Sequence, residues 1–110
     1  MRERRDTVLL PDGRSIEVVV QGAEDGHLLI FHHGSPGSAQ PFEPWHTAAA
    51  EREIAIAFPS RAGFGGSTRQ EGRTVSSAAA DAAALADHLG RETFLTAGWS
   101  GGGPHALACA

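Results

Sequence analysis

The chain has 110 residues, 41% hydrophobic and 20% charged, with a formal net charge of -4, which fits one domain at most and argues against nucleic acid or an anionic membrane as an obligate partner. The charged start, Met1-Arg2-Glu3-Arg4-Arg5-Asp6, is followed by no apolar signal core, and the apolar runs fall far short of the ~20 residues that span a bilayer, so no membrane partner is expected. A single cysteine, Cys109, rules out an internal disulfide and suits a reducing compartment, so a cytoplasmic address is expected.

In chain order, residues 7–10 read as a strand ended by the turn signal Pro11-Asp12-Gly13, and residues 15–20 as its hairpin partner. His27-Leu28-Leu29-Ile30-Phe31 is a continuous apolar run of the kind buried on both faces. A glycine- and proline-rich loop follows, and then a helix from residue 43 or 44 to about 53, with Pro44 near its first turn. Residues 54–58 form the next buried strand, which Pro59 ends, and residues 61–67 form another glycine-rich loop. The clearest helix spans 74–88, from Ser76/Ser77 through Leu85 to a stop at Gly90. A short strand at 93–97 and a helix at 104–110, with Pro104 in its first turn, complete the chain.

The order is β-β-β-α-β-α-β-α, which implies an α/β fold in one domain over residues 1–110. Its sheet is mainly parallel with flanking helices. In such sheets chemistry sits beyond the carboxyl ends of the strands. All three glycine-rich loops fall there, so they should converge on one site.

Between the last strand and the last helix stands Gly98-Trp99-Ser100-Gly101-Gly102. G-x-S-x-G at a strand-to-helix junction is a nucleophile elbow, a turn tight enough to hold a serine above the sheet. The serine is strained, so the positions two before and two after it must carry almost no side chain. Two further motifs precede it in order, His33-Gly34-Ser35-Pro36-Gly37-Ser38 and Ser60-Arg61-Ala62-Gly63-Phe64-Gly65-Gly66-Ser67.

From about residue 7 to residue 110 the chain resembles the amino-terminal part of an α/β-hydrolase fold enzyme, with its H-G-x-P-G, R-x-G-[FY]-G-x-S and G-x-S-x-G elements. That resemblance implies a serine hydrolase acting on an ester, amide or similar small acyl compound, with a proline-iminopeptidase or haloperoxidase-like branch also open. Ser100 would be the nucleophile, and the backbone N–H groups of Ser35 and Gly101 would hold the oxyanion. Epoxide hydrolases and haloalkane dehalogenases share the loop but use an aspartate where Ser100 stands.

Each residue has a plainer reading. Ser35 is also a good turn residue, His33 reads as a tie for its loop rather than a base, and Trp99 is either pocket wall or core. Arg61 and residues 63–66 shape the second loop, Cys109 packs, and His27, His46 and His88 read as solvated or half-buried. His32 is left open between pocket and sheet. No histidine pair has ligand spacing, so no metal and no cofactor is expected.

In the family the acid and then the histidine follow the serine along the chain. Only ten residues follow Ser100, with no Asp, no Glu and only His105, which should point away from the elbow. The triad acid and base are therefore not present, and the expectation is an amino-terminal fragment that is inactive alone. Its last strand would be an open apolar edge, a route to self-association. A non-catalytic binding module on the same scaffold is the alternative. A dinucleotide-binding half-domain fails, because Gly101-Gly102-Gly103-Pro104-His105-Ala106 lacks the final glycine of G-x-G-x-x-G.

Overall fold

The computed structural model describes residues 4–23, 25–34, 37–39, 43–70 and 72–110. Its elements are β1 (Arg4–Leu9), β2 (Ser15–Gly22), β3 (His27–His32), α1 (Glu43–Glu51), β4 (Ile54–Pro59), α2 (Ser77–His88), β5 (Leu95–Gly98) and α3 (Gly102–Ala108). The element types and their order are those expected from the sequence, while several ends shift. Helix α2 starts late because the hydroxyls ahead of it bond locally. The Thr74 N–H donates to Ser77 Oγ at 3.0 Å and the Thr74 and Ser76 hydroxyls lie 2.9 Å apart, which competes with helical bonds. Helix α3 starts early, at Gly102, because packing against β3 overrides the poor helix propensity of glycine.

The sheet order is β1-β2-β4-β3-β5. Strand β2 runs antiparallel to both β1 and β4, whereas β3 runs parallel to both β4 and β5. The sheet is therefore mixed, a hairpin joined to three parallel strands. Alternate residues of β2 serve opposite faces. Val19 joins Ala49 of α1, Ile56 and Phe58, while Val18 and Val20 join Ala82, Leu85 and Ala86 of α2 together with Leu28, Ile30 and Ala57. Each large aliphatic side chain fully buried this way contributes roughly 1.5–3 kcal/mol.

The hairpin turn is locked to α2. The half-buried Arg14 guanidinium donates to Asp81 Oδ1 and Oδ2 at 2.6 and 3.2 Å and to Asp12 Oδ2 at 2.7 Å. On the other side of the sheet, β5 pairs with β3 alone among the described residues, and Leu95 on it is 56% exposed.

Helix α1 packs on β2 and β4, while α3 packs on β5, β3 and α2. The connections leaving the adjacent strands β3 and β5 thus turn to opposite faces. The carboxyl ends of strands whose connections diverge in this way are the usual ligand position in open α/β sheets.

Candidate active site

Ser100 sits just beyond the carboxyl end of β5 with a left-handed backbone, φ 51, which costs a non-glycine residue roughly 1–2 kcal/mol. Neighbouring contacts hold the turn. The Trp99 N–H donates to the His32 carbonyl at 3.2 Å, the Gly102 N–H to the Trp99 carbonyl at 2.8 Å, and the Gly103 N–H to the Ser100 carbonyl at 3.0 Å. The two flanking glycines have no room to spare. A Cβ at Gly98 would strike the Gly102 and Gly103 backbone, and one at Gly102 would strike the His32 and His33 carbonyls.

The Ser100 side chain is exposed, and its hydroxyl makes no hydrogen bond among the described residues. The Gly101 N–H is likewise without an acceptor there. Gly34 brings the loop after β3 against the elbow, since a Cβ on it would lie 3.3 Å from the Ser100 Cβ. Ser35, the other residue expected to supply an oxyanion N–H, falls outside the described residues. Trp99 is 72% exposed, so it is not core.

The second loop is built onto His33. Its Nδ1–H donates to the Gly34 carbonyl at 2.7 Å and its Nε2 accepts the Arg61 N–H at 3.0 Å. The Arg61 guanidinium returns a hydrogen bond to the His33 carbonyl at 3.0 Å and lies over the Phe64 ring at 5.3 Å. Both imidazole nitrogens are committed, and burial holds the ring below its ordinary pKa. His33 is a tie between loops.

Glu17 on β2 was not singled out in the sequence, yet it fixes both loops from beneath. Its Oε1 accepts from Ser60 Oγ at 2.8 Å and from the Gly66 N–H at 3.1 Å, and Ser60 Oγ accepts the Ala39 N–H at 2.7 Å. Arg5 pairs with its Oε2 at 3.2 Å. The Gly66 N–H, the Ser60 hydroxyl and Arg5 outweigh burial and hold this carboxyl below the ordinary range. An acidic residue inside the apolar run Ile16-Glu17-Val18-Val19 was the available signal.

The other histidines are placed away from the serine hydroxyl. His32 turns to the α2/α3 face, its Nε2 lying 3.6 Å from Cys109 Sγ, and burial brings it to about 4. Burial also raises the Cys109 thiol, so this pair stays neutral. The buried His105 donates from Nδ1 to the Gly101 carbonyl at 2.8 Å and accepts Arg73 Nη1 at Nε2, 3.2 Å away. His46 accepts the Gly22 N–H, His88 meets Asp6, and His27 lies at the amino end of β3. No described histidine is hydrogen-bonded to Ser100.

Ile16, His32, Pro59, Arg61 and Leu85 line a cavity of about 20 Å³, room for about one water and too little for a substrate.

A family model for the alpha/beta hydrolase fold matches residues 27–110, from β3 through α3. The chain belongs to the α/β-hydrolase fold family. YcgS of Bacillus subtilis (strain 168), an uncharacterized hydrolase, is 30% identical over 110 residues, all of this chain and 37% of that protein. Among solved structures, an epoxide hydrolase from an endophytic Streptomyces matches 98% of the chain with a TM-score of 0.81 and 27% identity. Epoxide hydrolase A from Mycobacterium thermoresistibile matches 98% with a TM-score of 0.81 at 21% identity, a likeness of fold alone. The chain covers 33% and 34% of those two chains, so this α/β-hydrolase-fold chain spans about a third of the length of these relatives. Among the described residues no helix is long and apolar enough to cross a membrane.

Proposed function

We propose that this chain carries the nucleophile of a serine hydrolase that acts on an ester, amide or similar acyl compound. Ser100 Oγ attacks the acyl carbon, its proton passes to a base, and the carbonyl electron pair moves onto oxygen. The oxyanion is met by the Gly101 N–H and, by family resemblance, the Ser35 N–H, each such donor being typically worth about 3 kcal/mol in the transition state. The observation that carries this reading is the left-handed, exposed Ser100 on a turn whose glycines admit no Cβ. The unclaimed Gly101 N–H beside it gives further support.

The solved relatives are named epoxide hydrolases, a branch that resemblance associates with an aspartate nucleophile. Residue 100 is serine, which favours acyl transfer. The described histidines are committed elsewhere or lie at the far end of the sheet, so the base and acid come from outside the described residues and the chain alone does not turn over. That same lack of a base is what favours the second reading, a binding module on this scaffold.

Phosphonylation by a fluorophosphonate, with imidazole added as an external base, separates the two. A folded chain whose labelling rises with imidazole, and is lost in Ser100→Ala, supports the hydrolase reading. A folded chain that stays unlabelled at high imidazole supports the binding module and removes the hydrolase.

A further inference from the structure

The loop after β4 leaves room for one particular side chain of β2. A Cβ on Gly65, where φ is 50, would lie 2.6 Å from Ser60 Oγ and 2.7 Å from Glu17 Oε1. One on Gly66 would lie 3.1 Å from Glu17 Oε2. These two glycines form the seat of the Glu17 carboxylate. The same Cβ on Gly65 would lie 3.0 Å from the Ser38 Cβ, so the loops after β3 and β4 meet at this carboxylate.

The hydrogen bonds around it close into a ring. The Ala39 N–H donates to Ser60 Oγ at 2.7 Å, and the Ser60 hydroxyl gives its single proton to Glu17 Oε1 at 2.8 Å. Arg5 donates from Nη1 to Glu17 Oε2 at 3.2 Å and from Nη2 to the Ala39 carbonyl at 3.5 Å. Both polar groups of the Ala39 backbone are therefore held. Ser60 and Ala39 are buried, so water is a poor substitute for a lost partner there. The path runs on to the elbow. The Arg61 N–H, next in the chain, donates to His33 Nε2 at 3.0 Å. A Cβ on the following Gly34 would lie 3.3 Å from the Ser100 Cβ and 3.4 Å from Trp99 Cδ1. An ionised carboxylate fits this ring because both of its oxygens meet donors, whereas an amide would turn an NH2 group onto one of them.

We propose that Glu17 is a positioning residue for the elbow. Its carboxylate, acting through Ser60 and the loop after β3, sets how Gly34 lies against Ser100 and Trp99 and thereby how fast the serine reacts. Glu17 itself touches no substrate. The effect on reactivity rests on the serine-hydrolase reading, and the placement of the loop does not. A small misplacement beside a reacting group costs a large factor in rate, which is why a residue on β2 matters to a serine after β5.

The test compares the full chain with Glu17→Ala, Glu17→Gln and Asp81→Asn in two readings. One is the set of amide resonances of Gly34, Trp99 and Gly101 by NMR. The other is the rate of Ser100 phosphonylation by a fluorophosphonate with imidazole, on chains shown to be folded by their unfolding midpoints. Asp81→Asn breaks the pair with Arg14 on the α2 side of the sheet and controls for lost stability. Glu17→Ala should move the Gly34 and Trp99 resonances and slow labelling about tenfold, and Glu17→Gln should do both to a smaller degree. Asp81→Asn should lower the midpoint and change neither reading. If Glu17→Ala does not fold, Glu17→Gln decides by the same two readings. Unmoved resonances, an unchanged rate in a chain that labels, or equal changes in Asp81→Asn would overturn the proposal. An unsubstituted chain that folds and does not label removes the hydrolase reading, and the resonances then decide the placement alone.

Discussion

Glu53 and Ser100 share one backbone conformation, with φ values of 57 and 51, at opposite ends of the sheet. Glu53 lies between α1 and β4, where its N–H reaches the Ala50 carbonyl at 3.3 Å and its carbonyl accepts the His27 N–H at 2.9 Å. Its side chain points to solvent, and the left-handed turn does no more than send the chain back into the sheet. At Ser100 the same torsion holds an exposed hydroxyl beyond the carboxyl end of β5, with glycines on both sides that have no room for a methyl group. Left-handed strain by itself therefore does not mark a site. What distinguishes the elbow is the close backbone approach around it and the exposed hydroxyl it presents.

The clearance at the elbow gives the largest expected effect. Gly102→Ala drives a Cβ into the His32 and His33 carbonyls and should cost about 3 kcal/mol, the upper range for overpacking. Gly103→Ala next to it meets nothing within 4 Å and should gain up to about 1 kcal/mol from helix propensity. Denaturant midpoints of the two variants should move in opposite directions, and similar losses would remove the claim that clearance is specific to Gly102.

Acid should weaken the elbow's support through His32. Burial lowers its folded-state pKa to about 4, so between the ordinary histidine value and 4 the unfolded chain binds the extra proton. Stability is therefore full above about pH 6.5, falls as the pH drops toward 4, and loses about 3 kcal/mol in all by this group. His33 and His105, also lowered by burial, act in the same direction. His32→Leu should flatten the fall in unfolding free energy between pH 6.5 and 4.5, and an unchanged slope would contradict the assignment.

The smallest effect bears most directly on the comparison. Glu53→Gly should raise stability by roughly 1 kcal/mol, as a glycine relieves the left-handed turn, and leave Ser100 labelling intact. Ser100→Gly should give a similar gain and abolish labelling. A Glu53→Gly chain that loses labelling would show that the two turns are coupled.

The elements and the elbow were legible because their signals are local. Alternating apolar runs, Pro59, Gly90 and the spacing of Gly98, Ser100 and Gly102 each report on a few neighbouring residues. The tie at His33 was legible for the same reason, lying beside a motif. Glu17 and the Arg73–His105 contact were not, because Glu17 holds Ser60 and Gly66, 43 and 49 residues away, and Arg73 reaches His105 32 residues away. Trp99 stayed undecided in the sequence because its exposure depends on β5 being the edge of the sheet.

The central claim is that the turn, and not exposure alone, makes Ser100 the reactive serine. Mass mapping of the chain after fluorophosphonate treatment with imidazole tests it directly, because Ser76 is also exposed and serves as an internal control. The account predicts an adduct on Ser100 and none on Ser76. Equal modification of the two serines, or a folded chain with no adduct at Ser100, would contradict it.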